Sequence, residues 1–141
     1  MSLRWIRETT PRWDADKARI IGEAEAGIFD TRYRKLENGE VLPAAWWRVE
    51  DEGTVVGYGW LDSNWGDAEI LLAVATARRR GGVGEFILLR LHEEAAHAGL
   101  NYLTNIVRPT HPRAAEVTAW LGKHGFIPSE DGRLQCVVRA R

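Results

Sequence analysis

Arg79-Arg80-Gly81-Gly82-Val83-Gly84 decides how this chain is read, because a strand-like run precedes it and a helix-like run follows it. Glycines at a strand-to-helix junction let backbone N–H groups approach a ligand with no Cβ atoms in the way. The helix that follows adds its unpaired first-turn donors and the positive end of its dipole. Strand, loop and helix together make an anion cradle, whose usual occupant is a phosphate or pyrophosphate. Three consecutive arginines, Arg78 to Arg80, add positive charge there.

Working outward, Ala68 to Ala75 is a nearly continuous apolar strand of the buried kind. On the other side, Val83, Ile87, Leu91 and Ala95 recur at helical spacing through His97, and Gly99 supplies a stop. Tyr102 to Val107 is the next strand. The usual crossover rule makes this a right-handed βαβ unit with its two strands parallel.

Further out, Leu3 to Arg7 reads as a strand. Trp13 to Ile28 reads as a helical region, with Ala15, Ala18, Ile21 and Gly22 near helix spacing and Pro11 upstream. Phe29 to Val41 is charged, punctuated by Asn38-Gly39, and reads as irregular with at most a short helix. Strands at Trp46 to Val49 and Thr54 to Leu61 flank a turn at Glu50-Asp51-Glu52-Gly53, and Asn64-Trp65-Gly66-Asp67 makes a second turn. Thr110 or His111 caps another helix, with Pro112 at its first position, running through Val117, Trp120 and Leu121 to Gly125. Phe126-Ile127-Pro128 leads into a hairpin that turns at Glu130-Asp131-Gly132 and ends in a strand from Leu134 to Arg139. The expected fold is α+β: a mixed, mostly antiparallel central sheet flanked by helices, with one parallel βαβ crossover carrying the glycine loop.

At 141 residues, 45% apolar and 28% charged, the chain reads as one globular domain over residues 1–141. A net charge of −1 argues against broad attraction to nucleic acid or an anionic membrane. The single cysteine, Cys136, excludes an internal disulfide, fits a reducing cytoplasm and is expected in the core rather than as a nucleophile. No run approaches the roughly 20 apolar residues of a membrane span, and no apolar signal core opens the chain. Seven tryptophans are many for this length. Trp120 is expected in the core, and the adjacent Trp46 and Trp47 face opposite ways, which would leave one of them exposed. Trp60 and Trp65 flank a loop beside the central strand, where core packing and an acceptor pocket are the two options.

Two familiar glycine-loop ligands lack residues they require. A dinucleotide site wants Gly-x-Gly-x-x-Gly and an acidic residue about 20 positions later. Here Ile87 replaces the third glycine, and the next strand offers Asn101 and Asn105 with no carboxylate. A nucleotide P-loop needs a lysine the loop does not have. The pattern Arg79-x-x-Gly82-x-Gly84 instead resembles the acyl-CoA loop of the GNAT N-acetyltransferase superfamily. Ala68 to Val74 is similar to that family's fourth strand, and Trp120-Leu121-Gly122-Lys123-His124-Gly125-Phe126 to its fourth-helix ending. The hairpin Trp46 to Leu61, with Val56-Gly57-Tyr58-Gly59, resembles its second and third strands. The resemblance is close over residues 45 to 139, and holds for the N-terminal third only in the order of elements.

The resemblance implies acetyl-CoA as co-substrate, no metal, and an amine acceptor. By position, Gly81, Gly82, Val83 and Gly84, with Arg79 and Arg80, would hold the pyrophosphate. Leu72, Ala73 and Val74 would pair their backbone with the pantetheine arm. Parallel strands splaying after a bulge would make room for the thioester, and Asn105 would contact it from the second wall. Glu69, the one carboxylate on the apolar strand, is the candidate base acting through water, with burial raising its pKa. The family's thiolate acid, a tyrosine four residues before the closing glycine, is Leu121 here; His111, His124, Tyr58 and Tyr102 are open substitutes, as is release to water.

Two other motifs fail. His92 and His97 lie five apart, about 140° around a helix, and cannot form a zinc pair on one face. The basic triplet lacks the aromatic interleaving of a nucleic-acid patch. The leading expectation is a cytoplasmic N-acetyltransferase acting on a small-molecule primary amine. A protein N-terminus or lysine is the alternative acceptor, and a non-catalytic acyl-CoA-binding regulator the alternative class. The resemblance leaves room for a homodimer.

Overall fold

The computed structural model describes residues 2–139. Strands β1 (Leu3–Glu8), β2 (Ala45–Asp51), β3 (Thr54–Asn64) and β4 (Asp67–Val74) form an antiparallel meander. Strand β5 (Tyr102–Asn105) joins β4 in parallel, and β6 (Ile127–Pro128) and β7 (Leu134–Val137) complete a seven-stranded sheet in the order β1-β2-β3-β4-β5-β7-β6. The mixed sheet with one parallel pair is the expected one. Both meander turns are two-residue turns with positive φ at each central position: Glu52 and Gly53 at 50° and 83°, Trp65 and Gly66 at 54° and 86°. That twist matches the twist of the flanking strands.

Helix α2 (Val83–His97) has the predicted bounds, and α3 (Ala114–Lys123) packs on the same face of the sheet. Val83, Ile87, Leu91 and Ala95, the residues of the helical repeat, are all fully buried. Close approach depends on Gly57 and Gly59. A Cβ on Gly59 would lie 2.7 Å from Ile87 Cγ2, and one on Gly57 would lie 2.9 Å from the Ala73 carbonyl. Cys136 belongs to this core, where burial raises its thiol pKa.

The opposite face is covered without a regular helix, which corrects the helix expected from Trp13 to Ile28. Only α1 (Ala15–Lys17) forms, N-capped by Asp14, before the chain widens into a π-helical turn over Ala18–Gly22. Tertiary contacts override the local pattern. Lys17 is completely buried; its Nζ lies 2.7 Å from Glu8 and 3.0 Å from Asp14 and faces the rings of Trp46 and Tyr58. The wide turn buries the adjacent residues Ile20 and Ile21 together. A 3-10 turn over Thr31–Arg34 brings Tyr33 into the same core as Trp13, Trp46 and Trp60.

Trp46 and Trp47 do face opposite ways, but neither is exposed: each is buried in a different core because both faces of the sheet are covered. Trp46 stacks on Trp60 at 4.2 Å, and Trp47 on Trp5 at 5.5 Å. Trp65 is 97% exposed at a hairpin tip. Strand β5 stops at Asn105 rather than Val107, and α3 begins at Ala114, with the His111 side chain accepting the Arg113 N–H in front of it. Strand β7 ends at Val137, short of Arg139. No helix among the described residues is long and apolar enough to cross a membrane.

Candidate functional site

Strands β4 and β5 are paired only from Asp67↔Tyr102 to Glu69↔Thr104. Beyond that point they part, and a cavity of about 600 Å³ opens between them. The splay does not arise from a bulge, as the family resemblance implied: the β3–β4 register is unbroken from Asn64↔Asp67 to Gly57↔Val74. It arises because β5 leaves the sheet after Asn105, whose Nδ2 donates to the Ile70 carbonyl at 2.9 Å in place of the next ladder bond. Asn105 therefore closes the vertex of the cleft.

Alternation along a strand determines which main-chain groups stay open. The Ala68 and Ile70 carbonyls point toward β5, where they accept from Thr104 and Asn105, whereas the Ala75 N–H donates to Val56 on β3. By the same alternation, the backbone of Leu72 and Val74 faces the cavity and that of Ala73 is engaged with β3. Leu72, Ala73 and Val74 all line the cavity, but only two of them offer a free edge.

At the end of this edge stands the glycine loop. Arg80 and Gly82 both have left-handed φ, 64° and 88°, and Gly82 caps α2. The first-turn amides of Val83, Gly84 and Glu85 have no carbonyl within the helix to bond. A Cβ added at Gly82 would meet nothing within 4 Å, so the cradle is open space. The arginine triplet divides: Arg78 pairs with Asp51 at 2.7 Å, while Arg79 and Arg80 line the cavity. His111 and Arg113 line the same end. Burial, and then the charges of Arg113 and Arg79, lower the His111 pKa and favour neutral imidazole.

Glu69 lies on the cavity wall at the closed end of the splay. Burial, and then the charge of Asp62 across the β3–β4 ladder, raise its pKa, while Arg32 and Arg133 oppose the shift. Facing this end is the segment that sequence reading left irregular. Ile28, Phe29, Asp30, Arg32 and Tyr33 line the cavity. The segment is tied across the cleft to the β5–α3 loop: Thr110 Oγ1 donates to the Gly27 carbonyl at 2.8 Å, and Arg113 pairs with Glu25 at 2.9 Å. No local pattern announces this wall, because its contacts join residues more than 80 positions apart.

Of the four substitutes for the thiolate acid, only His111 lines the cavity. Its ring accepts the Arg113 N–H, and the charge of Arg79 acts on it. Leu121 is buried in the cavity wall. Trp60, a candidate for the pocket, lies behind Phe29 and Tyr33, and Trp65 is on a distant tip. The aromatic side chains on the cavity are Phe29, Tyr33 and Trp120.

The model of the acetyltransferase (GNAT) family matches residues 5–126. Among solved structures, the ribosomal-protein-S18-alanine N-acetyltransferase of Escherichia coli is similar with a TM-score of 0.70 at 17% identity, over 99% of this chain and 96% of that one. The PaiA N-acetyltransferase of Thermoplasma acidophilum, solved with coenzyme A, has a TM-score of 0.65 at 13% identity, over 97% and 99%. A phosphinothricin acetyltransferase of Sinorhizobium meliloti, solved with AcCoA, has 0.57 at 17% identity, over 67% and 61%. No match to a curated protein sequence was found. A family model spanning most of the sequence and a cleft opening between parallel strands onto a glycine-capped helix lead to one conclusion: the chain belongs to the acetyltransferase (GNAT) family and is an acyltransferase.

Proposed function

We propose that this is a cytoplasmic, acetyl-CoA-dependent N-acetyltransferase that transfers the acetyl group directly to a primary amine of a small molecule. The observation that carries the donor half is the continuity of the cleft: a free backbone edge at Leu72 and Val74 runs into the cradle at Gly82. Such an edge suits an extended amide-bearing arm, and the cradle with Arg79 and Arg80 suits a pyrophosphate. Gly81, Val83 and Gly84 belong to the same cradle, and Asn105 bounds the arm at its inner end.

For transfer, the amine must first lose a proton. Glu69 is the group placed to take it, directly or through water, and burial suits its carboxyl to that role. The free amine then attacks the thioester carbonyl carbon; a C–N bond forms as the C–S bond breaks, and the nitrogen gives its second proton to water. Leu121 has no proton to give, so the leaving thiolate takes one from solvent. The Leu72 and Val74 amides remain as neutral donors along the cleft.

Gly82→Glu tests the donor site. It places a bulky carboxylate in the cradle on a residue with positive φ. The wild-type protein should gain about 2.7 kcal/mol from acetyl-CoA at one hundred times its Kd, and the variant should gain none. Equal stabilisation of both proteins in thermal melts would overturn the assignment.

A further inference from the structure

The acceptor end of the cleft carries charges of both signs: Asp30, Arg32 and Glu69 all line the cavity. Glu69 stands on β4, with Asp62 opposite it in the β3–β4 register. Arg32, in the 3-10 turn Thr31–Arg34, lines the same cavity, and its charge acts on Glu69. The turn is anchored where the Arg32 N–H donates to Asp30 at 2.9 Å. Arg32 Nη2 donates to the Tyr33 hydroxyl at 3.1 Å, and its guanidinium lies 5.0 Å from the centre of the Tyr33 ring. Tyr33 is itself 6% exposed and wedged among Trp13, Phe29 and Trp60, so the guanidinium stands on a rigid base. Among the described residues Arg32 has no carboxylate at ion-pair distance, although the charges of Asp30, which faces Arg108 at 3.9 Å, and of Asp62 both act on it.

A simple amine would satisfy Glu69 and leave this fork with the Tyr33 hydroxyl but no carboxylate at ion-pair distance. A planar guanidinium seated on the Tyr33 ring can match a carboxylate through two parallel hydrogen bonds. We propose that the acceptor is a zwitterion of the α-amino-acid type, its carboxylate on Arg32, its amine toward Glu69 and its side chain against Ile28 and Phe29. This inference rests on the acetyltransferase reading above and adds the acceptor's class to it. It also gives the irregular N-terminal wall a function, since that wall supplies the cation.

The test is acetyl-CoA consumption with the common α-amino acids, their methyl esters and the corresponding decarboxylated amines. At least one amino acid should exceed its ester and its amine by about 10- to 100-fold in kcat/KM, as expected for a charge-assisted pair. Arg32→Gln should bring the acid down to the level of its ester by raising KM, and Arg32→Lys should restore part of the difference. Arg32, Asp62 and Arg133 all act on Glu69, so each comparison is made across the pH profile. Equal turnover of acid, ester and amine, or preference for a peptide N-terminus, would overturn the inference and leave the acetyltransferase reading intact. Acetyl-CoA that stabilises the protein but is consumed with none of these compounds would also overturn it. Acetyl-CoA that neither binds nor is consumed would overturn both.

Discussion

The two faces of the sheet are built by different rules, and the cleft draws on both. One face is covered by α2 and α3, whose apolar residues repeat at helical spacing and press onto Gly57 and Gly59. The other is covered by a chain that is helical for three residues, then π-helical, then turned, and is held by stacked rings and the buried ammonium of Lys17. The regular face orients the donor cradle through the N-terminus of α2. The irregular face supplies Arg32 and Tyr33 to the acceptor end. A regular helix presents the same chemistry wherever it occurs, whereas an irregular wall can be shaped residue by residue.

If the irregular face depends on its buried charge, Lys17→Met should show the largest effect. Glu8 would keep only Arg48, at 3.6 Å, and the fold should lose about 3 kcal/mol. Urea unfolding measures this, and a loss below about 1 kcal/mol would mean the rings alone hold that face. Where the two faces meet, Glu69→Gln should lower kcat/KM about 100-fold. As the proposed base, the same carboxyl should fix the acidic limb of the pH–rate profile. Its pKa is raised and its base form is the active one, so the limb lies above the ordinary carboxylate range and activity grows as pH rises through it. Asp62→Asn removes a charge that raises that pKa and should move the limb to lower pH. An unmoved limb would show that Glu69 does not set it.

On the regular face, Gly59→Ala should cost about 2 kcal/mol by pushing a methyl group against Ile87. The same thermal melts should show acetyl-CoA still stabilising this variant, since the cradle is untouched; loss of that response would mean the face and the cradle are one unit. The smallest effect is expected at the strap across the cleft. Arg113→Gln breaks an exposed pair with Glu25 and should change stability by at most about 0.5 kcal/mol. A larger loss would show that the strap is structurally coupled to the irregular face.

The regular half was legible in the sequence because its signals are local. The repeat from Val83 to Ala95 and the stops at its ends lie within a few residues of what they specify, and α2 has the predicted bounds. The apolar run before the loop marks β4 for the same reason. The helical region expected from Trp13 to Ile28 is helical only from Ala15 to Gly22, and widens at Ala18, because spacing alone does not carry its distant contacts. Nothing local says that Lys17 meets Glu8, or that Ile20 and Ile21 must both point inward. Arg78, Arg79 and Arg80 look alike in sequence; Asp51, 27 positions away, is what separates the first from the others.

The sequence by itself therefore determined the family resemblance, the mixed sheet and the place of the glycine loop, because backbone conformation and periodicity follow from near neighbours. Only the tertiary structure decided how the cleft is bounded. It showed Asn105 closing the vertex on Ile70, Leu72 and Val74 but not Ala73 presenting a free edge, and His111 alone of the four substitute acids lining the cavity. It also brought Arg32 and Glu69 to one cavity. Each of these depends on which distant side chain or strand takes up a hydrogen bond or a charge, and packing settles that after the local elements have formed.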